Sequence, residues 1–270
     1  MSPVPEKGTA LVTGASSGIG AVYADRLARR GHNLILVARN CANLAHVAER
    51  IGMVTDRSIR TVAADLTHAP DLARIEEVLL TDPAITLLVN NAGMGAIGPL
   101  IGCDPETIAR LVSLNVAAPT RLAHAAAVAF AGRGAGAIIN ISSIVALAPD
   151  MLNSAYSASK AYMLAFSQAL QHELEAEGVR VQAVLPGITA TAFWDQLGRP
   201  ADQLPASMVM RAEDMVDAAL AGFDVGETVT IPSLPEVAEW QEFETARNTL
   251  RPHLSRAVPA TRYLQHRIQA

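Results

Sequence analysis

Apolar residues along the chain fall into short continuous runs that alternate with longer stretches of helical periodicity. The short runs are rich in Val, Ile and Leu and lack a regular polar face, which is typical of parallel strands covered by helices on both sides. These runs predict seven strands, at residues 10–13, 33–38, 60–63, 85–89, 137–141, 180–185 and 228–231. The longer stretches predict helices near residues 18–30, 41–51, 70–81, 105–131, 153–177 and 211–222.

The alternation of strands and helices predicts an α/β fold. We expect a single doubly wound Rossmann domain over residues 1–232, with a seven-stranded, mainly parallel sheet flanked by helices on both faces. Residues 188–210 have weak periodicity and follow a strand, so we interpret them as a loop with short helical pieces that forms a lid, or else as a surface excursion. Residues 233–270 predict a helical tail, opened by Pro235 and stopped by Pro252, that packs on the same domain or at a subunit interface.

Composition and charge narrow the classes of partner. Half of the residues are hydrophobic, 17% are charged, and the net charge is -5 without a basic run, which disfavours nucleic acid and anionic membranes as partners. The two cysteines and seven histidines show no metal-ligand spacing, so we expect no metal. The uncharged stretch 84–103 contains four glycines and a proline, which favours a buried strand and loop over a membrane span. Because residues 1–7 lack an apolar signal-peptide core, we expect a cytoplasmic protein.

A glycine-rich turn follows the first predicted strand and leads into an amphipathic helix. Glycines in such a turn let the backbone approach a pyrophosphate, and the helix N-terminus offers free N–H groups to it. The turn also matches the G-x-S-x-G elbow of α/β-hydrolases, with Ser16 as the nucleophile, an alternative that its place before any second strand disfavours. The residues that we predict to bind a dinucleotide here are Gly14, Ser16, Ser17, Gly18, Ile19 and Gly20.

The end of the second predicted strand indicates which dinucleotide fits. An NAD enzyme would place an acidic residue here to bind the ribose 2'-hydroxyl, whereas this sequence reads Ala38-Arg39-Asn40. No anion repels a 2'-phosphate, and the Arg39 guanidinium is available to bind it. This predicts NADP(H) as the cofactor, although an ordinary surface arginine would also fit the position.

The third and fourth predicted strands end in further candidates for the adenosine half of the site. Asp65-Leu66 could place a carboxylate beside the adenine amino group, and a helix cap is the alternative. Asn91-Ala92-Gly93 could bring small groups against the adenine ribose, and a plain turn is the alternative.

Tyr156 and Lys160 stand at positions i and i+4 of one predicted helix, so their side chains share a face. A phenol titrates near pKa 10, and a cation about 4 Å away at an effective dielectric near 20 supplies about 4 kcal/mol, which would lower that pKa by about 3 units. We therefore predict that Tyr156 transfers the proton and that Lys160 also binds ribose hydroxyls. At the end of the fifth strand we choose Ser143 over Ser142 as the hydroxyl that holds the substrate oxygen, and a turn-forming serine pair is the alternative.

These motifs together resemble the short-chain dehydrogenase/reductase family from about residue 8 to 232. The resemblance rests on the glycine turn, the Asn-Asn-Ala-Gly segment at 90–93, the asparagine in Leu114-Asn115-Val116, the strand-end serine, the Tyr-x-x-x-Lys pair and Pro186-Gly187.

The family resemblance implies roles for individual residues. Asn115 would order a water in a proton relay to Lys160, Ser143 would orient the substrate carbonyl, and Tyr156 would be the acid in reduction and the base in oxidation. Thr191 would contact the nicotinamide carboxamide. The residues implied to flank the nicotinamide are Pro186, Gly187, Ile188 and Thr191.

The combined prediction is an NADP(H)-dependent oxidoreductase that interconverts a ketone or aldehyde and an alcohol by hydride transfer. We expect a hydrophobic small-molecule substrate, because the predicted pocket is mostly apolar, and a homodimer or homotetramer. Arg199 or Arg211 from the lid could bind a substrate carboxylate. A non-catalytic dinucleotide sensor of the same fold is an alternative, as is an isomerase or dehydratase that borrows the hydride. The predicted pocket residues are Met94, Ile97, Ile144, Val145, Leu147, Met151, Leu152, Phe193 and Trp194.

Overall fold

The computed structural model describes residues 7–264, except for the side chain of Gln196. Nine strands are β1 (Thr9–Thr13), β2 (Asn33–Ala38), β3 (Ile59–Ala63), β4 (Ile85–Asn90), β5 (Gly136–Ile141), β6 (Val179–Val184), β7 (Thr189–Ala190), β8 (Met210–Arg211) and β9 (Val229–Thr230). The α-helices are α1 (Gly18–Arg29), α2 (Cys41–Gly52), α3 (Ala69–Thr81), α4 (Pro105–Val112), α5 (Ala118–Ala131), α6 (Ser154–Leu174), α7 (Ala192–Gln196), α8 (Ala212–Asp224), α9 (Val237–Thr249) and α10 (Thr261–Leu264).

Seven of these strands form one sheet, in the order β3-β2-β1-β4-β5-β6-β9, and every neighbouring pair is parallel. Apolar side chains cover both faces. One buried cluster joins the sheet to α1, α2 and α8, and the other joins it to α3, α5 and α6. The predicted doubly wound α/β domain is therefore confirmed, and each of the seven predicted strands lies within about two residues of an observed one.

Two predicted helices differ from the observed ones. The segment predicted as one helix over 105–131 is α4 and α5 joined by a π-helical turn at Ser113–Ala117. The helix predicted over 153–177 begins at Ser154, because the Asn153 side chain caps it by accepting from the amides of Ala155 and Tyr156, and a 3-10 turn follows it at Glu175–Glu177.

The segment predicted as a loop with short helical pieces contains α7 and two 3-10 turns, at Ala201–Gln203 and Ala206–Met208. It also contains a feature that its sequence did not predict. The strands β7 and β8 pair in parallel at its two ends, with Thr189 opposite Met210, and so close the segment into a loop.

The chain divides into two compact units, residues 1–232 and 233–270. In the second unit the helix α9 begins at Val237, two residues after the predicted Pro235 start, and none of its residues is buried. Trp240 stacks on Phe243 within this helix, with ring centroids 5.4 Å apart. The packing partner predicted for the tail stays a prediction. Among residues 7–264, no helix has the length and apolar character that a bilayer crossing needs.

Candidate active site

A cleft of about 830 Å³ opens at the carboxyl ends of β1, β2, β4, β5 and β6. This is the edge at which doubly wound sheets bind their ligands. It brings together residues that the sequence places up to 190 positions apart, from Gly14 to Leu204. The predicted cofactor residues that line it are Gly14, Ser16, Ser17, Gly18, Ile19, Arg39, Asp65, Leu66, Asn91, Ala92, Gly93, Tyr156, Lys160, Pro186, Gly187, Ile188 and Thr191.

The glycine turn has the geometry of a phosphate cradle. Gly14 and Gly18 adopt φ values of +65° and +52°, which side-chain-bearing residues rarely adopt. Ser17 caps α1 without a side-chain hydrogen bond, so the first amides of the helix face the cleft beside Ser16 and Gly18. These free N–H groups and the helix dipole fit an anionic pyrophosphate.

Gly20 does not line the cleft, although we predicted it as a cofactor residue. A Cβ at this position would collide with the carbonyl oxygen of Gly14 and would lie 2.5 Å from the Asn91 amide nitrogen. Gly20 therefore lets α1 pack tightly under the turn. Asn91 likewise holds the turn in place, because its amide donates to the carbonyl oxygens of Thr13 at 2.9 Å and Gly14 at 3.3 Å.

Arg39 lies exposed at the end of β2, at the opposite end of the cleft from the predicted catalytic residues. Within residues 7–264 its guanidinium makes no salt bridge, which leaves it available to an anionic ligand. Asp65 lines the same end, where its carboxylate accepts from the amide and hydroxyl of Thr67 at 2.9 and 2.7 Å. These bonds, with the Arg39 charge, outweigh burial and hold the pKa of Asp65 below its usual value. Asp65 thus forms a turn with Thr67 and does not cap α3, whose N-cap position is His68 without a side-chain hydrogen bond. Its contact with adenine stays a prediction.

Tyr156, Lys160 and Ser143 meet at the other end of the cleft. Tyr156 and Lys160 are both buried, and the Lys160 ammonium lies 5.7 Å from the centroid of the Tyr156 ring. The Lys160 Nζ donates to the Ile141 carbonyl oxygen at 3.0 Å. Ser142, by contrast, donates its hydroxyl to the Lys160 carbonyl oxygen at 2.7 Å, so it positions the helix that carries the lysine.

Burial shifts the pKa of both groups. Desolvation raises the pKa of Tyr156 to about 12, and a hydrogen bond with the Ser143 hydroxyl opposes this only in part. Desolvation lowers the pKa of Lys160 to about 8. The sequence argument predicted a lowered tyrosine pKa, and that prediction is wrong, because burial disfavours the charged phenolate by more than the Ser143 hydrogen bond favours it.

Asn115 stands in the π-helical turn between α4 and α5 and does not line the cleft. Its buried side chain accepts from the Met94 amide at 2.9 Å and donates to the Met94 carbonyl oxygen at 2.8 Å. It also donates to the Ser159 hydroxyl at 3.2 Å, one residue before Lys160. Asn115 therefore ties three segments of the site together, and π-helical turns are often found at such functional positions.

The end of the cleft around Tyr156 is mostly apolar, as the sequence predicted. Ile97 lies instead in an adjoining cavity of about 510 Å³, which shares Met151, Leu152 and Arg199 with the cleft. Leu147 lines neither cavity and is 36% exposed. Of the two candidate arginines, Arg199 lines both cavities, whereas the exposed Arg211 pairs with Glu213 at 3.6 Å and lines neither. The predicted pocket residues that line the cleft are Met94, Ile144, Val145, Met151, Leu152, Phe193 and Trp194.

Several lining residues were not predicted as site residues. Asn40 and Asn43 flank Arg39, and the Asn40 side chain caps α2 by accepting from the Asn43 amide. Both asparagines follow Arg39 closely in the sequence, and this position near a predicted phosphate-binding residue could have indicated them. Leu204 carried no such signal, since only the folding of the lid segment brings it to the cleft. The unpredicted residues include Asn40, Asn43, Ala64, Leu114, Thr189, Ala192 and Leu204.

The described residues offer little support for other site chemistries. No group of three or more His, Cys, Asp or Glu side chains within 7–264 is arranged to hold a metal. Ser16 shares the cleft with no histidine among its lining residues, so the hydrolase alternative lacks a general base there.

The fold and the cleft together match those of doubly wound proteins that bind a dinucleotide at the carboxyl ends of their strands. The chain belongs to the short chain dehydrogenase family, whose sequence pattern matches residues 8–202. It is 37% identical over 186 residues to human 17-beta-hydroxysteroid dehydrogenase type 3, a match that covers 68% of this chain and 60% of that protein. The chain therefore spans less than two thirds of this curated relative.

Two solved structures match most of the chain. A short-chain dehydrogenase from Sphingobium yanoikuyae in complex with NADPH is 46% identical, with a TM-score of 0.91 and coverage of 94% of this chain and 98% of that one. A bulky-bulky ketone specific alcohol dehydrogenase from Comamonas testosteroni is also 46% identical, with a TM-score of 0.88 and coverage of 95% and 98%.

Proposed function

We propose that this protein is an NADP(H)-dependent oxidoreductase that interconverts a bulky hydrophobic ketone and its alcohol. One observation carries the proposal: a single cleft has a phosphate cradle and an arginine at one end, and a buried tyrosine among apolar side chains at the other. The NADPH complex and the ketone specificity of the two similar structures support it.

The cofactor half of the cleft would bind the dinucleotide through groups that the chain already presents. The amides at the start of α1 would bind the pyrophosphate, and Arg39 would bind the ribose 2'-phosphate. Lys160 would donate to the nicotinamide ribose, and Thr191, at the start of α7, would contact the carboxamide. Bound in this way, a reduced nicotinamide supplies a hydride to a carbonyl carbon.

Tyr156 then supplies the proton that completes the reduction. Because burial raises its pKa to about 12, the phenol holds its proton near neutral pH and can give it to the carbonyl oxygen as the hydride arrives. The Ser143 hydroxyl, which is hydrogen-bonded with Tyr156 and also donates to the Pro186 carbonyl oxygen at 3.4 Å, would donate to the same substrate oxygen. The phenolate left behind is stabilised by the Lys160 ammonium and regains its proton from solvent. Oxidation of the alcohol reverses these steps.

Apolar side chains around Tyr156 support a hydrophobic substrate. Phe193, Val145 and Leu111 pack around the tyrosine ring, and Met151 and Leu152 continue this surface into the adjoining cavity. A cavity of about 510 Å³ next to the main cleft gives room for a second large substituent on the carbonyl carbon. Arg199, which lines both cavities, would bind an acidic group on that substituent.

Arg39 provides the test of cofactor choice. We expect the wild type to reduce an aryl ketone at least tenfold more efficiently with NADPH than with NADH, since a bidentate phosphate contact contributes about 1.5–3 kcal/mol. Arg39→Leu should abolish this preference, because it weakens the binding of NADPH and leaves the binding of NADH unchanged. Steady-state rates from the reduced-cofactor absorbance give both values.

Arg50 offers the matched control, because it is an exposed arginine at the end of α2 that does not line the cleft. Arg50→Leu should keep the NADPH preference of the wild type. A wild type that prefers NADH would reject NADP(H) as the cofactor.

Tyr156 provides the test of the chemical mechanism. We expect Tyr156→Phe to lower kcat by about a thousandfold or more, because general acid catalysis contributes about 10²–10⁴ and the phenol here is the proton donor. The NADPH Kd, measured by fluorescence titration, should change little. Ketone reduction at the wild-type rate in this variant would exclude Tyr156 as the acid, whereas lost turnover with retained cofactor binding would also distinguish an enzyme from a dinucleotide sensor.

We further propose that the protein works in the cytoplasm as a homodimer or homotetramer. The acidic net charge of -5 and the absence of a basic run support a location away from nucleic acid and anionic membranes. Cell fractionation tests the location, and light scattering coupled to size exclusion tests the subunit number.

A further inference from the structure

Phe193, in the lid helix α7, lies against a glycine that belongs to the loop after β4. A Cβ on Gly95 would lie 2.5 Å from the Cζ and 3.0 Å from the Cε2 of the Phe193 ring, and 2.9 Å from Leu197 Cδ1. Real Cβ atoms almost never approach other atoms as closely as 2.5 Å. Gly95 does not have a positive φ, so space, not backbone conformation, is what excludes a side chain here.

The same Phe193 ring forms part of the apolar wall around the catalytic tyrosine. Its centroid lies 6.0 Å from that of Tyr156, with the planes tilted by 43°. Trp194 supports it from within α7, with its ring 5.6 Å away and edge-on. The indole is itself fixed, because it is buried and its Nε1 donates to the Thr189 carbonyl oxygen at 3.1 Å. Phe193 is therefore bounded by Gly95, Trp194 and Tyr156.

We propose that Gly95 is a specificity-determining residue, whose missing side chain sets the distance between Phe193 and Tyr156 and thus the size of the substituent that fits between them. The inference deepens the proposed ketone reduction and rests on it. The three atoms nearest to a methyl group at position 95 lie at the far ends of the Phe193 and Leu197 side chains, so we expect the ring to move and the backbone to stay. Because Trp194 supports the helix side of the ring, the displaced ring moves toward Tyr156 and narrows the pocket.

The Gly95→Ala variant tests this geometry with two ketones of different size. We expect its kcat/KM for benzophenone to fall about tenfold, chiefly through KM, since a single methyl group in a hydrophobic pocket changes discrimination by about 10–200-fold. For cyclohexanone, which needs less room, kcat/KM should stay within about twofold of the wild type. The NADPH Kd should not change, because Gly95 does not line the cleft.

Two further variants separate this effect from general damage to the loop. Gly102→Ala is the matched control, since a Cβ at Gly102 meets nothing within 4 Å and its φ is not positive. This variant should leave kcat/KM unchanged for both ketones. In a Phe193→Ala background, Gly95→Ala should no longer discriminate against benzophenone, because no ring remains for the methyl group to displace. An equal loss with and without the ring, or an equal loss for both ketones, would overturn the inference.

Trp194 gives a readout that does not depend on turnover. In a Trp240→Phe background it is the sole tryptophan, because the chain has two. Gly95→Ala should change its acrylamide quenching relative to the parent, and Gly102→Ala should not. A wild type that reduces neither ketone would reject the proposed function, while altered Trp194 quenching would still establish the contact. An active wild type with unaltered quenching and an unaltered ketone ratio in Gly95→Ala would reject the role of Gly95 alone.

Discussion

Lys160 and Tyr156 are buried side by side, and each shifts toward its uncharged form. The described partner of the lysine ammonium is a neutral carbonyl group, that of Ile141, and desolvation lowers the lysine pKa to about 8. The tyrosine pKa is raised to about 12. The phenol therefore keeps its proton up to about pH 12, and the lysine keeps its positive charge only up to about pH 8. At neutral pH the pair is thus a protonated phenol beside a cation, the state that the proposed reduction requires.

The pH dependence of the proposed ketone reduction follows from these two pKa values. Tyr156 stays protonated throughout the accessible range, so its own titration does not limit reduction. Above pH 8 the ammonium of Lys160 is lost, and with it the charge that stabilises the forming phenolate. We expect kcat/KM for reduction to be level below about pH 8 and to fall by up to tenfold per unit above it. Initial rates from pH 6 to 10 with saturating NADPH measure this.

Lys160→Arg is the control for this profile, because a guanidinium stays charged throughout the range. Whatever its absolute rate, this variant should lack the break near pH 8. Wild-type reduction that stays level or rises between pH 8 and 9.5 would contradict the assignment of the break to Lys160.

At the scale of the elements, the sequence predicted those strands and helices that a regular hydrophobic pattern indicates. The strands β1, β2, β4, β5 and β6 are recognisable because each is mostly buried and rich in Val, Ile or Leu, whereas β3 is mostly exposed. The predicted site residues follow the ends of these strands. The turn at Ser113–Ala117 was missed because a π-helical turn adds a residue without breaking the helical pattern. Asn115 was predicted as a site residue only from the family resemblance. Its hydrogen bonds to Met94 and Ser159 join segments that no local sequence pattern connects.

Asn115→Ala should show how far this π-helical turn supports the site. The variant leaves the amide and carbonyl groups of Met94 without their partner, at a cost of about 1–3 kcal/mol for each buried polar group left unsatisfied. We expect Tm to fall by roughly 5–10 °C and kcat to fall at the same time. Ser113→Ala, in the same turn, changes a half-buried side chain and should alter neither value. Equal thermal stability of Asn115→Ala and the wild type would exclude the supporting role.

At the scale of the whole molecule, the sequence predicted the cleft but not the packing of the lid segment that borders it. Parallel strands must end at a common edge, so the glycine turn, Arg39 and Ser143 had to meet once the sheet was recognised. No comparable rule predicts how the lid segment, residues 188–210, packs. Gly95 and Phe193 are 98 positions apart, and neither pattern nor motif indicates that a glycine in one loop makes room for a ring in another. Contacts of this kind depend on packing between irregular segments.

The domain at residues 1–232 contains the hydrophobic clusters on both faces of the sheet, whose buried members all lie between Ala10 and Leu220. A chain ending at Pro232 therefore keeps the entire sheet and its covering helices. We expect it to unfold cooperatively, with a Tm within about 3 °C of the full chain, and to bind NADPH with an unchanged Kd. Circular dichroism and fluorescence titration measure these values. Light scattering on the same samples separates the two predicted positions of the tail: a smaller assembly with unchanged Tm indicates a subunit interface, and a clear loss of Tm indicates packing on its own domain.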